Sequence, residues 1–453
     1  MIVTLLVLLT ILFLSIEIQK YLKIPSPITL ISLSYGFYYL FPNLKLFSEE
    51  GFAELVISLI PILIASDALQ LKLEDLKKNA LSLLYLALFS VAVSVIIGIF
   101  TAHTFFVDYH LSTGAIIALF AMVMATDPVS VVSVFSSFRV SHKLKILAEG
   151  ESLFNDATAL IIFVFVALPM LRGENITAMD ITLVSLKVLS LSVLIGFIVG
   201  WFGIILMRLT SDPMSELVLI LLTAYGAFEL AEKFHVSGLL SVIVAIITLN
   251  TITNKSFEIV SDRVKKAKRI VNQTNKSKKV FSSNFMNAIT RKLTTDISHI
   301  QRHQQNLNYI AVLALIANTF LFVSMASIVN IDLLIHYHKE IILMFLVTTI
   351  IRAIMIGSFA FVSNITKKMT DINFRWWSVL LFAGIKGGLS IVMIQMLPEH
   401  FEYREMFEAI VIGVILLSTF IYSLTLVAII SLNKKAFDDD IDNHHLYEID
   451  ESH

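Results

Sequence analysis

Apolar segments long enough to cross a membrane recur along the whole chain. A transmembrane helix needs about 20 predominantly apolar residues, and we predict thirteen such segments. They lie near residues 1–18, 25–43, 52–70, 80–104, 112–137, 145–170, 183–207, 215–233, 236–251, 308–330, 339–362, 376–397 and 405–432. Only 15% of the 453 residues are charged, against about 25% in an ordinary soluble domain. The sequence therefore predicts an all-α polytopic membrane protein with about thirteen transmembrane helices.

The composition also argues against several classes of function. The net charge of -1 disfavours a nucleic-acid partner, because such proteins usually carry a clustered basic face. The sequence has no cysteine, which excludes disulfides, thiol catalysis and cysteine-ligated metals. It also lacks a Gly-x-x-x-x-Gly-Lys loop, which disfavours an ATP-driven pump. We predict that the chain is not an enzyme and has no resident cofactor, and that the lipid bilayer surrounds it.

The distribution of basic residues predicts the orientation in the membrane. Lys and Arg are enriched in the cytoplasmic loops of membrane proteins. Alternate loops of this chain hold Lys20, Lys23, Lys72, Lys77, Lys78, Arg139, Lys143, Lys145, Arg208, Lys367, Lys368, Arg375, Lys434 and Lys435. The amino-terminal segment has neither a basic flank nor a cleavage site, so we interpret it as a retained first helix. We therefore predict a protein of the cell membrane with its amino terminus outside and its carboxyl terminus in the cytoplasm. Termini on opposite sides require an odd number of transmembrane helices.

Polar segments divide the chain into four parts. Residues 1–250 contain helices one to nine, and 308–433 contain helices ten to thirteen. Residues 251–307 form a polar, basic cytoplasmic segment, read as a solvated linker or as an amphipathic helix on anionic lipid. Residues 434–453 form a short acidic tail with three histidines. We predict that this tail is unstructured, with pH sensing or partner binding as the alternative.

Ionisable residues inside the apolar runs indicate where the chemistry lies. Asp127, Glu151 and Asp156 occur between residues 125 and 160, and a charge at a helix centre costs at least about 3 kcal/mol. Such residues usually mark an ion or proton pathway. Pro128 directly follows Asp127 and breaks the helical hydrogen-bond ladder, which frees backbone carbonyls at membrane depth. Asp127, the Thr126 hydroxyl and these carbonyls form a plausible partial shell for a hard monovalent cation.

The next segment carries the run Glu149-Gly-Glu-Ser-Leu-Phe-Asn-Asp156. Ser152 and Asp156 share one helix face, whereas Glu151 and Asn155 share a face rotated by about 100°. We predict that Asp156 is functional and that Glu151 belongs to a structural ion pair. Glu149 is nearer the predicted cytoplasmic end and is expected to be interfacial.

Two basic residues within apolar runs balance these acids. Arg352 and Lys386 would each be costly if unpaired, so each is expected to contact a carboxylate or freed carbonyls. The sequence Gly384-Ile-Lys-Gly-Gly388 also interrupts a spanning segment. Interruptions at corresponding positions in the two halves of a transporter indicate discontinuous helices that belong to inverted repeats. The binding site of such transporters is formed by these discontinuous helices. The fifth and twelfth segments match this description.

Three motifs together resemble a known family. The motifs are TDPVSVVSVF, EGESLFNDATAL and GIKGGLS, and a further similar segment is AEKFHVSGLL at 231–240. They resemble motifs of the electroneutral sodium/proton antiporters of the NhaP and eukaryotic sodium/proton exchanger type, which belong to the cation:proton antiporters. The resemblance covers nearly all of the membrane portion. It implies a thirteen-helix protomer in a homodimer, with a six-helix core that contains two crossed, discontinuous helices.

The resemblance also implies roles for individual residues. Asp156 would bind cation and proton in turn. Thr126, Asp127 and Ser152 would complete the site for the transported Na+, and Asn155 would replace a second acid. Glu151 would pair with Arg352. Lys386 is a departure, because most family members have Arg there, and Lys cannot reproduce a bidentate guanidinium contact. Asp67 lies near an acidic position of the third family helix without aligning cleanly.

The predicted mechanism is competition for one buried acid. Desolvation disfavours the charged carboxylate, so Asp156 can hold either a proton or a cation, and competition yields exchange. With neutral Asn155 beside it, one-for-one electroneutral exchange of Na+, and also Li+, for H+ is expected. A K+/H+ antiporter on the same scaffold is the alternative. An intramembrane aspartyl protease and a passive cation channel remain as other classes.

Overall fold

The described part of the chain is built from helices. The structure, a computed structural model, describes residues 2–22, 24–41, 49–106, 109–136, 138–174, 177–210, 212–251, 302, 304–323, 325, 329–366, 369–398 and 400–440. All regular secondary structure in these ranges is helical, which confirms the predicted all-α class. Most of the predicted linker 251–307 and the tail beyond residue 440 lie outside the described residues.

Apart from the helical start of the tail, nineteen α-helices can be delimited in this part of the chain. They are α1 Ile2–Leu22, α2 Ser26–Leu40, α3 Glu49–Gln70, α4 Leu73–Lys78, α5 Ala80–Leu84, α6 Ser90–Phe105, α7 Thr113–Met124, α8 Pro128–Ser136, α9 His142–Ile162, α10 Leu168–Leu171, α11 Ala178–Met207, α12 Pro213–Lys233, α13 Gly238–Thr251, α14 Gln304–Val323, α15 Ile331–His336, α16 His338–Thr366, α17 Phe374–Phe382, α18 Gly388–Gln395 and α19 Arg404–Leu432. The π-helical segments Tyr85–Phe89 and Phe163–Ala167 join α5 to α6 and α9 to α10.

Eight helical stretches of the described chain are long and apolar enough to cross a membrane by length and composition, and two of them run through a π-helical segment. Three shorter apolar stretches accompany them: Ile57–Gln70 within α3, Thr113–Met124 and Gly238–Thr251. Each of the thirteen predicted segments coincides with a helix or with a pair of consecutive helices. The number of complete membrane crossings stays a prediction.

Two predicted spans are interrupted in their middle, as the sequence indicated. Between α7 and α8 the chain is non-helical at 125–127, and between α17 and α18 it is non-helical at 384–387. We call these stretches the first and second breaks. Pro128 begins α8, where its missing N–H is harmless, and it disfavours a helical residue before it. All residues of both breaks are buried, which is the condition under which non-helical backbone is tolerated at membrane depth.

The described residues fall into two compact units. The first comprises Met1–Ile60, Glu74–Ser190 and Ile316–His453, and the second comprises Pro61–Leu73 and Leu191–Leu315. Both breaks lie in the first unit. In the second unit α11 and α13 are in close contact, because a Cβ at Gly196 would be 2.5 Å from the Ser241 carbonyl oxygen. The Ser241 hydroxyl donates to the Ser192 carbonyl at 3.0 Å.

The described beginning of the acidic tail is helical, although we predicted an unstructured tail. Residues 434–440 are in a helix, and the side chain of Phe437 is buried. Asp440 accepts hydrogen bonds from Arg375 and from the indole of Trp376, both at 3.1 Å. These contacts fix the start of the tail on the first turn of α17.

Hydroxyl groups connect α8 to the two amino-terminal helices of the same unit. The Ser133 hydroxyl accepts from the Gln19 side-chain amide at 3.0 Å and from the Ser26 N–H at 3.2 Å. The Ser26 and Ser133 hydroxyl oxygens are 3.1 Å apart. These bonds hold the half-helix that follows the first break.

Ser133→Ala is expected to lower the free energy of unfolding by about 1–3 kcal/mol, because it removes the acceptor of the buried Ser26 N–H. Thermal unfolding in detergent measures the effect. The control is Ser136→Ala on the same helix, whose exposed hydroxyl donates to the Ser133 carbonyl at 2.8 Å. Equal midpoints for the two variants would contradict this account of α8.

Candidate ion-binding site

Asp156 lies at the first break, on the buried face of α9. Its side chain is 6% exposed, and its Oδ1 atom accepts the Thr126 N–H at 2.7 Å. In a continuous helix that N–H would donate to a carbonyl of the preceding turn. The break frees it for the carboxylate, so the interrupted backbone itself binds this acid.

Ser152 and Asn155 converge on the same threonine. The Ser152 hydroxyl donates to Thr126 Oγ1 at 2.9 Å, and the Asn155 amide donates to it at 3.0 Å. The same amide donates to the Met124 carbonyl, also at 3.0 Å. We predicted different helix faces for these two residues, but Asn155 borders both faces and reaches the cluster of Ser152 and Asp156. Its buried Oδ1 accepts no hydrogen bond from the described residues.

Asp127 takes part in both breaks. Its Oδ2 atom accepts the backbone N–H of Ser130 at 3.2 Å and the Ser130 hydroxyl, so it caps the amino terminus of α8. Its own N–H donates to the Ile385 carbonyl at 2.7 Å. The structure therefore places Asp127 beside Thr126 and gives its carboxylate a capping contact as well.

Glu151 and Arg352 form a buried bidentate pair. Arg352 Nη1 and Nη2 donate to the two Glu151 oxygens at 2.9 and 2.8 Å. The guanidinium also donates to the carbonyls of Leu380 and Leu381, both at 3.0 Å. Arg352 thus connects α9, α16 and the end of α17.

Lys386 lies inside the second break and is 2% exposed. Its ammonium donates to the Met124 carbonyl at 3.3 Å, the same carbonyl that accepts from Asn155. Its backbone N–H donates to the Ser418 hydroxyl at 3.1 Å. Lys386 therefore reaches from one break to the last turn of α7.

Charged side chains complement the broken helix ends. A helix carries partial positive charge at its amino end and partial negative charge at its carboxyl end. Asp127 is at the amino end of α8, Lys386 at the carboxyl end of α7, and Arg352 at the carboxyl end of α17. These contacts offset part of the cost of burying these three charged groups in an apolar interior.

Two glycines permit the close approach of the breaks. A Cβ on Gly387 would be 2.5 Å from the Asp127 Cβ, and a Cβ on Gly384 would overlap the Arg352 guanidinium. Gly387 has an extended backbone, with φ of -131°, so space rather than conformation requires glycine there.

Several parts of the site were not named from the sequence. They are the carbonyls of Met124, Leu380, Leu381 and Ile385 and the hydroxyls of Ser130 and Ser418. The spacing of Asp127 and Ser130 is that of a helix cap, which is the one signal that was available. Glu149, expected at the interface, is buried. Asp67 lies on α3 in the second unit, where its role stays a prediction.

Comparison with known proteins tests the resemblance. Residues 5–432 match the family model described as sodium/hydrogen exchanger, transmembrane. The chain belongs to this family. The resemblance drawn from the sequence motifs is thereby confirmed.

Individual members of the sodium/hydrogen exchanger family agree with this assignment. The Na+/H+ antiporter ApNhaP of Aphanothece halophytica is 27% identical over 412 residues, covering 90% of this chain and 69% of the relative. The Na+/H+ antiporter NhaG of Bacillus atrophaeus is 28% identical over 398 residues, covering 85% of this chain and 66% of the relative. The chain therefore spans about two thirds of the length of these relatives.

A solved structure of another protein has the same fold. The sodium proton antiporter MjNhaP1 from Methanocaldococcus jannaschii superposes with a TM-score of 0.65, covering 97% of this chain and 99% of the other. Only 16% of the aligned residues are identical. The two chains thus share their overall fold.

Proposed function

We propose that this chain exchanges Na+ for H+ across a membrane and that Asp156 binds the two ions in turn. The relatives just described are named as Na+/H+ antiporters. The observation that carries the proposal for this chain is the position of Asp156, a buried acid bound by the backbone N–H that the first break sets free.

The oxygen atoms around Asp156 suit a small monovalent cation. Hard cations prefer carboxylate, hydroxyl and carbonyl oxygens. Asp156, Thr126, Ser152 and Asp127 offer such oxygens. The buried Oδ1 of Asn155, which lacks a hydrogen-bond donor among the described residues, is a further candidate ligand. A cation beside these atoms would satisfy an acceptor that otherwise costs about 1–3 kcal/mol.

The charges of the site favour one-for-one exchange. Three acids, Asp127, Glu151 and Asp156, and two bases, Arg352 and Lys386, are buried in and beside the breaks. When all five are charged, they leave one negative charge. One proton or one monovalent cation neutralises it, so the site carries the same charge in either direction. Exchange is then electroneutral.

We place the protein in the cell membrane with its amino terminus outside and its carboxyl terminus in the cytoplasm, on the distribution of Lys and Arg. We also propose a homodimer, as the family resemblance implies.

Asp156→Asn is expected to reduce exchange to the level of empty liposomes, because an amide binds neither a proton nor a cation with a full charge. The assay uses purified protein in acid-inside liposomes with an internal pH dye, and Na+, Li+ or K+ is added outside. The control is Asp371→Asn, an exposed acid outside the site, which is expected to exchange like the wild type. Equal activity of Asp156→Asn and wild type would refute the proposal.

The same liposomes test the ion and the stoichiometry. Alkalinisation by Na+ and Li+ but not by K+ supports the proposed substrate, whereas a response to K+ alone supports the K+/H+ alternative. Electroneutral exchange is expected to be unchanged when the membrane potential is clamped at different values. A rate that follows the potential would contradict the one-for-one stoichiometry.

A further inference from the structure

Glu149 is a buried acid that the site described above does not include. Its side chain is 8% exposed, and its buried Oε1 atom accepts no hydrogen bond from any residue that the structure describes. The ammonium of Lys145, on the preceding turn of α9, lies 3.5 Å from this oxygen. A buried carboxylate with such incomplete pairing is costly. An ionisable group of this kind within a membrane span indicates a functional role.

Glu149 lies on the same stripe of α9 as the proposed ion ligands. Ser152 follows three residues later and Asp156 seven residues later, and helical residues at such separations share one face. The helical rise separates Glu149 from Asp156 by about 10 Å along the axis. Ser152, between them, already contacts Thr126. The stripe therefore presents a carboxylate, a hydroxyl and a second carboxylate in order.

Lys145 lies between Glu149 and the amino-terminal end of α9. Its side chain is 41% exposed, and α9 begins at His142, one turn earlier. Lysine is a flexible point charge that forms no fixed bidentate contact, so its ammonium can leave the carboxylate without disturbing the helix. The Glu149 carboxylate would then be free to bind another cation.

We propose that Glu149 is a transit site for the transported cation between the cytoplasmic surface and Asp156. Lys145 occupies the Glu149 carboxylate when no cation is present, and the cation replaces it. Ser152 then provides the next oxygen on the way to Asp156. This inference rests on the proposed function and orientation, and it assigns a position on the path to a residue outside the exchange site itself.

The test compares the two faces of the membrane. Everted vesicles expose the cytoplasmic face to added Na+, and right-side-out vesicles expose the opposite face. In everted vesicles Glu149→Gln is expected to raise the half-saturating Na+ concentration about tenfold, which corresponds to one modest ionic contact. In right-side-out vesicles it is expected to leave that concentration unchanged. Lys145→Gln is expected to lower the half-saturating concentration at the cytoplasmic face, because it removes the competing cation.

Two controls separate this path from other effects. Glu74→Gln removes an exposed acid on α4 and is expected to leave the half-saturating Na+ concentration unchanged at both faces. A change in this variant would reveal a general effect of surface charge. Glu149→Asp retains the charge and is expected to remain closer to wild type than Glu149→Gln, which separates the charge from a requirement for folding. Equal shifts at both faces, a shift at the opposite face only, or no shift in any variant would overturn the proposal. Failure of the wild type to exchange Na+ would instead overturn the proposed function.

Discussion

Arg352→Met is expected to destabilise the protein by about 3–5 kcal/mol, the usual cost of removing one partner of a buried ion pair. The substitution leaves Glu151 without its bidentate donor and leaves the carbonyls of Leu380 and Leu381 without a guanidinium. Methionine fills much of the space without supplying a donor. The midpoint of thermal unfolding in detergent, followed by intrinsic fluorescence, measures the loss.

Two further variants distinguish the buried pair from arginine pairs in general. Arg375→Met removes the pair with Asp440, at 3.1 Å, and is expected to cost at most about 1 kcal/mol because solvent reaches this pair and screens it. Adding Glu151→Gln to Arg352→Met removes the unpaired negative charge and is expected to restore part of the lost stability. If Arg352→Met and Arg375→Met unfold at the same temperature, the buried pair is not the structural contact described here.

Gly387→Ala is expected to reduce exchange about tenfold or more, since binding sites tolerate only about 0.5 Å of displacement. The added Cβ would be 2.5 Å from the Asp127 Cβ and 3.1 Å from its Cα. Relief of this overlap requires movement of backbone, and that backbone carries Thr126. Overpacking of this kind costs about 1–3 kcal/mol of stability as well. Both losses are measured on purified protein, by liposome exchange and by thermal unfolding.

The adjacent glycine provides the matched control. A Cβ on Gly388 would be 2.9 Å from Leu321 Cδ1, which is the end of a flexible side chain. Gly388 also begins α18, where alanine is the better helix former by up to about 1 kcal/mol. Gly388→Ala is therefore expected to remain close to wild type. A comparable loss of exchange in both variants would show that the breaks do not require the close approach at Gly387.

The sequence was sufficient to locate the two breaks and the buried charges. Pro128 beside Asp127 and the run from Gly384 to Gly388 are local signals with a direct physical meaning, since each prevents a continuous helix. The positions of Arg352 and Lys386 followed from the cost of an isolated charge in an apolar run. The all-helical architecture followed from segment length and apolar composition.

The partners of these residues could not be predicted in the same way. Met124, Leu380 and Ile385 contribute carbonyl groups, and a carbonyl is present in every residue whatever its side chain. The burial of Glu149 within the protein could not be predicted either, because burial depends on how neighbouring helices pack around that end of α9. The same limit applied to the start of the tail, where contacts of Asp440 with α17 stabilise a helix.

The hydrogen bond from the Asp127 N–H to the Ile385 carbonyl has a consequence for chimaeric proteins. It joins backbone atoms that are far apart in the chain. When two relatives are recombined at a single crossover between residues 127 and 385, the donor and the acceptor of this bond come from different parents. Such a hybrid combines the first break of one parent with the second break of the other parent, and these two breaks have not been packed against each other before. Hybrids that take both breaks from the same parent are expected to fold and exchange more often than hybrids that mix them.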